Sequence, residues 1–187
     1  TINRPERRNA LDDVTIGELG DAVEDVAADD SIRVLIFTGA GQAFCAGGDL
    51  KTMRGGDTPG ALVSESADDI RRSFGGAQRL VLALQGIEKP VIGMINGSAV
   101  GAGFDLACAC DIRIGSPRAR FMAAYVRIGL FPGFGGTWLY PRALGSLGKA
   151  AEMLFTGDFL EAEEAYRLGF LNKLVPEEDL RATTVEM

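Results

Sequence analysis

The stretch of residues 89–111, KPVIGMINGSAVGAGFDLACACD, constrains the fold more than any other part of the chain. Pro90 favours an extended backbone before it, and the apolar residues 91–95 predict a short buried strand. Turn residues follow at 96–98, and a glycine-rich start leads into the apolar run 104–110, which predicts a buried helix. A strand, a tight turn and a helix in this order direct the backbone N–H groups of the helix start toward a ligand.

A second turn of this kind occurs earlier in the chain. Residues 32–37 predict a strand, and residues 44–50, FCAGGDL, offer small residues where a turn would follow it. Glycines at such turns allow a ligand to approach the main chain, although they would equally suit a helix packed closely on a sheet. Two turns of this type predict two convergent N–H donors, which is the arrangement of an oxyanion hole.

Four motifs resemble the signatures of the enoyl-CoA hydratase/isomerase (crotonase) superfamily, and they occur in the same order. They are residues 3–5 with 8–11, residues 43–51, residues 89–111 and residues 128–137. The resemblance extends from residue 1 to about Leu180. It implies an α/β fold built as a spiral of ββα units, with residues 1–187 forming a single acyl-CoA-binding domain. It also implies that the first strand and the C-terminal helices of the family are incomplete here.

Composition narrows the class of protein. With 187 residues, 47% of them hydrophobic, the chain is long enough for one domain with a sizeable core. Strands that alternate with helices predict an α/β fold with largely parallel pairing. The net charge of −7 argues against a nucleic-acid partner. No apolar run is long enough for a membrane span, and no signal peptide is visible, so we expect a cytoplasmic protein.

Apolar spacing predicts two amphipathic helices. Their apolar positions follow steps of three and four residues within residues 16–26 and residues 70–84. Asp12 or Asp13 is suited to cap the first of them. Between the two helices, residues 54–66 have glycine and proline but no periodicity, and they predict a mobile loop near the substrate entrance.

The chain contains no histidine, which limits its chemistry. Serine and cysteine catalysis through a histidine base is excluded, so acid–base work falls to carboxylate, tyrosine, lysine, thiol or water. The chain has three cysteines, an odd number, and all of them lie in apolar surroundings: Cys45, Cys108 and Cys110. This favours reduced and buried thiols. We expect no metal, since structural zinc usually needs four ligands. We also expect no cofactor, because CoA would be part of the substrate.

The resemblance implies a set of catalytic positions. Gly48 and Ala102 match the oxyanion-hole positions, whose N–H groups hold the thioester carbonyl. Asp105 follows Ala102 by three residues, a spacing that places both on one helical face. We expect Asp105 to be the acid–base group. The alternative is a buried carboxylate that forms a salt bridge with Arg113 or Arg127.

Two positions depart from the family pattern. Tyr125 stands where hydratases have their second glutamate, and a phenol is a poor base at neutral pH. Tyr125 is therefore either a hydrogen-bond donor or acid, or an aromatic side chain that only packs. Gly133 stands where some isomerases and dehalogenases have an aspartate. Neither the two-glutamate hydration mechanism nor a mechanism based at position 133 carries over.

Other positions match the family's substrate path. We expect the CoA thioester to contact Arg8, Ala10, Ala46, Asp49, Leu50, Gly101 and Pro132. Arg8 is suited to meet a CoA phosphate, because guanidinium pairs well with phosphate, but it is equally a solvated surface charge.

The default function implied by the resemblance is hydration of a 2-enoyl-CoA. The first alternative is an enoyl- or dienoyl-CoA double-bond isomerase that uses Asp105. The second is a non-catalytic family member that binds CoA or RNA, against which the acidic composition and Asp105 both argue. The resemblance also implies a homotrimer or hexamer for the full-length protein.

Overall fold

A computed structural model describes residues 1–50 and 67–187, with side chains described for residues 1–50 and 75–187. Within this part, the strands form two four-stranded sheets. The strands are β1 Leu35–Phe37, β2 Ala43–Cys45, β3 Val91–Ile95, β4 Ser98–Val100, β5 Ile112–Gly115, β6 Arg120–Met122, β7 Phe159–Glu161 and β8 Lys173–Leu174. One sheet has the order β1-β3-β5-β8 and the other the order β2-β4-β6-β7.

Consecutive strands alternate between the two sheets. Strands β1, β3 and β5 enter the first sheet while β2, β4 and β6 enter the second, and all of these neighbours pair in parallel. Strand β7 closes the second sheet antiparallel to β6. Each turn of the chain therefore adds one strand to each sheet before a helix follows, which confirms the predicted spiral of ββα units.

The helices of the described residues complete each turn of this spiral. They are α1 Asp13–Ala28, α2 Ala67–Gly86, α3 Ala102–Ala109, α4 Gly136–Ala143, α5 Leu147–Thr156, α6 Ala162–Arg167 and α7 Leu180–Val185. Asp12 caps α1 by accepting a hydrogen bond from the Thr15 N–H at 2.9 Å, which confirms one of the two predicted caps. Helix α1 packs against α2 through its predicted apolar face, where Ile16 and Val23 are buried.

Helix α3 lies in the centre of the core, with all eight residues buried. Its Phe104 ring stacks on Tyr140 with a centroid separation of 4.4 Å and meets the edge of Phe170 at 5.6 Å. Gly103 permits a close approach to β2, because a Cβ atom there would lie 2.2 Å from the Cys45 carbonyl oxygen. This approach places the start of α3 beside the end of β2.

Some elements differ from the sequence predictions. Strands β2, β4 and β7 were not predicted, and neither was the 3₁₀ turn Ala124–Ile128. Each of these three strands has only three residues, which is too few to show a period of two. The strand expected at residues 1–2 is a single bridge between Ile2 and Gly39. The loop predicted over residues 54–66 lies outside the described residues.

Candidate active site

The two predicted turns meet at the start of α3. Gly47 has a φ of 91°, and a Cβ atom on it would lie 2.6 Å from the Val100 carbonyl oxygen and 3.5 Å from the Ala102 nitrogen. Only glycine fits a backbone so close to another strand. The turn after β2 and the N-terminus of α3 are therefore direct neighbours.

The main chain around Gly48 is held by the N-terminal segment. Leu11 donates its N–H to the Gly47 carbonyl at 2.8 Å and accepts the Asp49 N–H at 2.8 Å. The N–H of Gly48 takes no part in this pairing with Leu11. Within the part of the chain that the structure describes, the Gly48 N–H has no backbone acceptor, so it is available to a ligand.

Ala102 offers the second N–H group. It is the first residue of α3, whose opening N–H groups have no acceptor inside the helix. Gly101 precedes it with a φ of 53° and donates its own N–H to the Met122 carbonyl at 2.8 Å. The positive end of the helix dipole also lies here, and it favours negative charge on a bound ligand. The start of α3 at Ala102 therefore lies beside the turn that contains Gly48, and their role as an oxyanion hole stays a prediction.

Asp105 lies one helical turn further along α3 and is fully buried. Its Oδ2 accepts a hydrogen bond of 2.5 Å from the Tyr125 hydroxyl. Burial raises the pKa of Asp105 to about 7, and the hydrogen bond from Tyr125 only partly opposes this rise. A carboxyl group with this pKa can both release and accept a proton near neutral pH.

The alternative prediction, a salt bridge for Asp105, is wrong for both named partners. Arg113 donates to the main-chain carbonyls of Phe170, Cys110 and Ala107 at 2.7, 2.5 and 3.4 Å. Arg127 instead donates to the Gly157 carbonyl and pairs with Asp158 at 3.0 Å. Because both guanidinium groups are satisfied elsewhere, Asp105 relies on uncharged partners.

Tyr125 lies in the 3₁₀ turn Ala124–Ile128, with its ring beside Gly101 and its hydroxyl on Asp105. Burial and the neighbouring carboxylate raise the pKa of this phenol well above its usual value. It therefore keeps its proton at neutral pH. The contact confirms the interpretation of Tyr125 as a hydrogen-bond donor, while its part in catalysis stays a prediction.

Sequence reasoning missed Tyr140, a fully buried residue of α4. A Cβ atom on Gly136 would lie 2.5 Å from Oδ1 of Asp105 and 2.7 Å from Cζ of Tyr140, so both groups border one small space. The Tyr140 hydroxyl is close enough to lower the pKa of Asp105, although it forms no well-aligned hydrogen bond there. The sequence did offer one signal for Tyr140, namely a polar hydroxyl group at a position of a predicted helix that faces the core.

Pro132 and Gly101 lie in the same part of the molecule as Asp105. Pro132 borders the space next to Gly136, and Gly101 supplies the turn that starts α3. Both of these predicted substrate contacts are thus gathered around the acid–base candidate.

The other predicted substrate contacts lie around the turn after β2. The Arg8 carbonyl accepts the Ala46 N–H at 3.0 Å, which places these two residues side by side, with the Arg8 side chain exposed. Ala10 is buried, whereas Leu50 is exposed. Asp49 is buried, with its carboxylate 3.4 Å from the Arg4 guanidinium. Contact with CoA stays a prediction for all of them.

Arg4 is a second residue that sequence reasoning did not single out. Its guanidinium lies 2.9 Å from Asp12 and 3.4 Å from Asp49, and it donates to the Ala10 carbonyl at 2.5 Å. Arg4 thus ties the N-terminal segment to the residue that follows Gly48. The signal in the sequence was an arginine in the N-terminal signature with several hydrogen-bond acceptors near it in the chain.

The three cysteines are free and buried, which confirms the predicted burial. Burial raises the pKa of Cys45 and of Cys110 to about 12, so both remain thiols at neutral pH. A protonated thiol is a weak nucleophile and a weak metal ligand. None of the described helices combines the length and the apolar character needed to cross a membrane.

Comparison with known proteins identifies the family. The sequence profile described as enoyl-CoA hydratase/isomerase matches residues 1–187. The chain belongs to this family. The arrangement of Gly48, Ala102 and Asp105 is therefore found in an enoyl-CoA hydratase/isomerase family member.

Individual relatives carry both names of the family. The chain is 40% identical over 180 residues to a crotonyl-CoA hydratase of Syntrophomonas wolfei, covering 96% of this chain and 65% of the relative. It is 38% identical over 187 residues to the 1,2-epoxyphenylacetyl-CoA isomerase of Escherichia coli, covering 100% and 69%. The crystal structure of an enoyl-CoA hydratase from Bacillus anthracis superimposes with a TM-score of 0.86 at 32% identity, covering 98% and 67%. The chain thus spans about two thirds of the length of these relatives.

Proposed function

We propose that this protein is an acyl-CoA enzyme of the enoyl-CoA hydratase/isomerase type that forms and stabilises a thioester enolate. The observation that carries the proposal is the buried carboxyl of Asp105, with a pKa of about 7, one helical turn from the N-terminus of α3. Among the described residues, the N–H groups of Gly48 and Ala102 have no backbone acceptor, and they supply the other half of the chemistry.

The enolate is held by the main chain. The thioester carbonyl oxygen accepts hydrogen bonds from the Gly48 and Ala102 N–H groups, and negative charge develops on it as the enolate forms. These donors and the dipole of α3 stabilise that charge more than the neutral carbonyl, which lowers the barrier. CoA is part of the substrate, and no separate cofactor takes part in this scheme.

Asp105 moves the proton. In hydration of a 2-enoyl-CoA, the oxygen of water bonds to C3 while the carboxylate of Asp105 takes the proton of that water. The protonated Asp105 then gives that proton to C2 of the enolate, which completes the addition of water and returns Asp105 to its carboxylate form. Tyr125 stabilises the ionised carboxylate through its hydrogen bond. The name of the Syntrophomonas relative supports hydration.

Double-bond isomerisation is the second candidate, and the composition of the site favours it. Among the described side chains, no second carboxylate hydrogen-bonds to Asp105 or Tyr125. One carboxylate is sufficient for isomerisation, because it can remove a proton from one carbon and return it to another. The name of the Escherichia coli relative supports an isomerase.

We propose further that the full-length protein is a cytoplasmic homotrimer or hexamer. Large apolar side chains on α4 and α5 support association, since Trp138, Leu147 and Phe155 are all strongly exposed. Light scattering on full-length protein tests this, and a monomer at all concentrations would contradict it.

Two measurements test the acyl-CoA function. Calorimetry should show binding of acetoacetyl-CoA and much weaker binding of free acetoacetate; equal or absent binding would contradict the proposal. Incubation with crotonyl-CoA and with a 3-enoyl-CoA in deuterated water, followed by NMR, separates the two reactions. Hydration yields the 3-hydroxyacyl-CoA, whereas isomerisation shifts the double bond and places deuterium on carbon without adding water.

A further inference from the structure

Two polar atoms in the core of this site lack partners. Of the buried side-chain polar atoms that the structure describes, three have no hydrogen-bond partner: Oδ1 of Asp105, the Tyr140 hydroxyl and Oγ of Ser116. Buried polar groups are nearly always satisfied, so each exception calls for a physical reason. The first two border the same space next to Gly136.

We propose that Tyr140 is a positioning residue of this site, whose hydroxyl donates a hydrogen bond to Oδ1 of Asp105. Tyr125 already donates to Oδ2 at 2.5 Å, so the carboxylate would be held between two phenols on different elements. The catalytic part of this inference rests on the proposed function, in which Asp105 transfers the proton.

The surroundings of Tyr140 support this role. Its ring stacks on Phe104 at 4.4 Å, which fixes the direction of the hydroxyl, and Phe104 immediately precedes Asp105 on α3. Gly136 leaves the space between the two groups open, since a Cβ atom there would contact both Oδ1 and the tyrosine ring. A small adjustment of either side chain closes the bond, and the pair then accounts for two of the three unsatisfied atoms.

The groups facing Asp105 come from four elements, and all are uncharged near neutral pH. The titratable ones are Tyr125 from the 3₁₀ turn, Tyr140 from α4, Cys45 from β2 and Cys108 from α3 itself, and the main-chain N–H of Phe134 also faces the carboxyl. Burial raises the pKa of each of these thiols and phenols. Hydrogen bonding, rather than a neighbouring charge, therefore decides how readily Asp105 ionises once it is buried.

The test is the titration of Asp105 itself, which needs no turnover. In protein labelled with ¹³C at the aspartate carboxyl carbon, the NMR resonance that disappears in Asp105→Asn belongs to Asp105. Its midpoint should lie near pH 7 in the wild type. Tyr140→Phe keeps the stacked ring but removes the donor, so the midpoint should rise by about one pH unit. Tyr166→Phe, which alters an exposed tyrosine on α6, should leave it unchanged.

Enzyme kinetics then connect the bond to function. The acidic limb of the pH profile of kcat/KM should move upward by the same amount in Tyr140→Phe, because the base form appears at higher pH. A merely structural tyrosine would lower the rate at all pH values and leave the limb in place. An unchanged Asp105 midpoint in Tyr140→Phe overturns the inference. If the midpoint rises but wild-type protein turns over no enoyl-CoA, the proposed function fails while the hydrogen bond stands.

A measurement on wild-type protein covers the case in which Tyr140→Phe does not fold. With ¹³C at the tyrosine Cζ, the three tyrosine resonances are assigned from Tyr125→Phe and Tyr166→Phe, and the third belongs to Tyr140. This resonance should shift with the midpoint of Asp105. A Tyr140 resonance that stays flat while Asp105 titrates overturns the inference.

Discussion

Asp105 and Arg113 are two ionisable side chains in one core, and they differ in how completely they are hydrogen-bonded. Arg113 donates to three main-chain carbonyls and lies over the Phe170 ring at 4.7 Å. Asp105 has one short hydrogen bond, from Tyr125, and one oxygen without a partner. The arginine thus has several hydrogen-bond partners in the fold, whereas the aspartate has an oxygen without one.

The difference separates a structural charge from a reactive one. A buried ion with a full set of partners has one stable state, because any change leaves acceptors unsatisfied. A buried carboxyl with few partners has a raised pKa and two protonation states of similar free energy. This second condition is costly for stability but necessary for proton transfer.

The largest effect should come from Asp105→Asn. Asparagine keeps the shape of the side chain but cannot take a proton, so turnover should fall by about 10²–10⁴-fold with affinity for CoA thioesters nearly unchanged. Exchange of substrate protons with deuterated water, followed by NMR, measures the step directly. Asp111→Asn is the control, since this exposed carboxylate accepts the Val91 N–H at 2.8 Å. A folded Asp105→Asn protein that exchanges at the wild-type rate would falsify the assignment.

Arg113→Met should show the opposite pattern, with a large loss of stability. The change leaves three buried or partly buried carbonyl groups without their donor, which should cost about 2–4 kcal/mol of unfolding free energy. Urea unfolding measures the loss. Arg118→Met is the control, because it removes an exposed pair with Glu177 that is worth at most about 1 kcal/mol. Equal losses of unfolding free energy in the two variants would show that Arg113 contributes no more than an exposed ion pair, and Arg113 would then not be a structural charge in contrast to Asp105.

Tyr125→Phe should have an intermediate effect on rate. It removes the hydrogen bond to Oδ2 of Asp105 but keeps the ring, so kcat should fall about 10- to 100-fold at neutral pH. Steady-state kinetics and calorimetry with acetoacetyl-CoA separate rate from affinity. A change of less than about twofold would show that the hydrogen bond from Tyr125 does not contribute to the rate.

The last effect, which is the smallest for a single step of one pH unit, is a slope in stability against pH. The pKa of Asp105 is raised from 3.8 to about 7 in the folded protein, so the folded state holds a proton that the unfolded state has lost within this window. The contribution of Asp105 is therefore greatest below about pH 4 and declines by roughly 1 kcal/mol per pH unit up to about pH 7. The difference in unfolding free energy between Asp105→Asn and wild type should grow accordingly in favour of the variant. A difference independent of pH would show that Asp105 titrates normally.

Several features of the fold followed directly from sequence patterns. Residues 91–95 form β3 as predicted, and the helix predicted over residues 104–110 is α3, which begins two residues earlier at Ala102. These elements have continuous apolar runs bounded by proline and glycine, and this local pattern is sufficient to predict them. Strands β2, β4 and β7 carry no such pattern, because their positions depend on pairing with strands distant in sequence.

The site was only partly readable from the sequence. The family resemblance implied Gly48 and Ala102, and the three-residue spacing placed Asp105 on the helical face of Ala102. In the structure the turn after β2 lies beside the start of α3. Tyr140 lies 35 positions beyond Asp105 in the numbering, and only the packing of α4 on α3 makes them neighbours. Arg4 likewise reaches Asp49 through tertiary contacts, which no local pattern encodes.

The close approach of the turn after β2 to the start of α3 determines which mutations this chemistry can survive. The proposed donors at positions 48 and 102 are main-chain groups, so every residue except proline would supply them. The vulnerable positions are instead the preceding glycines, Gly47 and Gly101, whose positive φ angles most side chains avoid. A side chain on Gly47 would also collide with the Val100 carbonyl. Substitutions that impair enolate stabilisation should therefore concentrate at the residue before each donor. The donor positions themselves can vary within the space available.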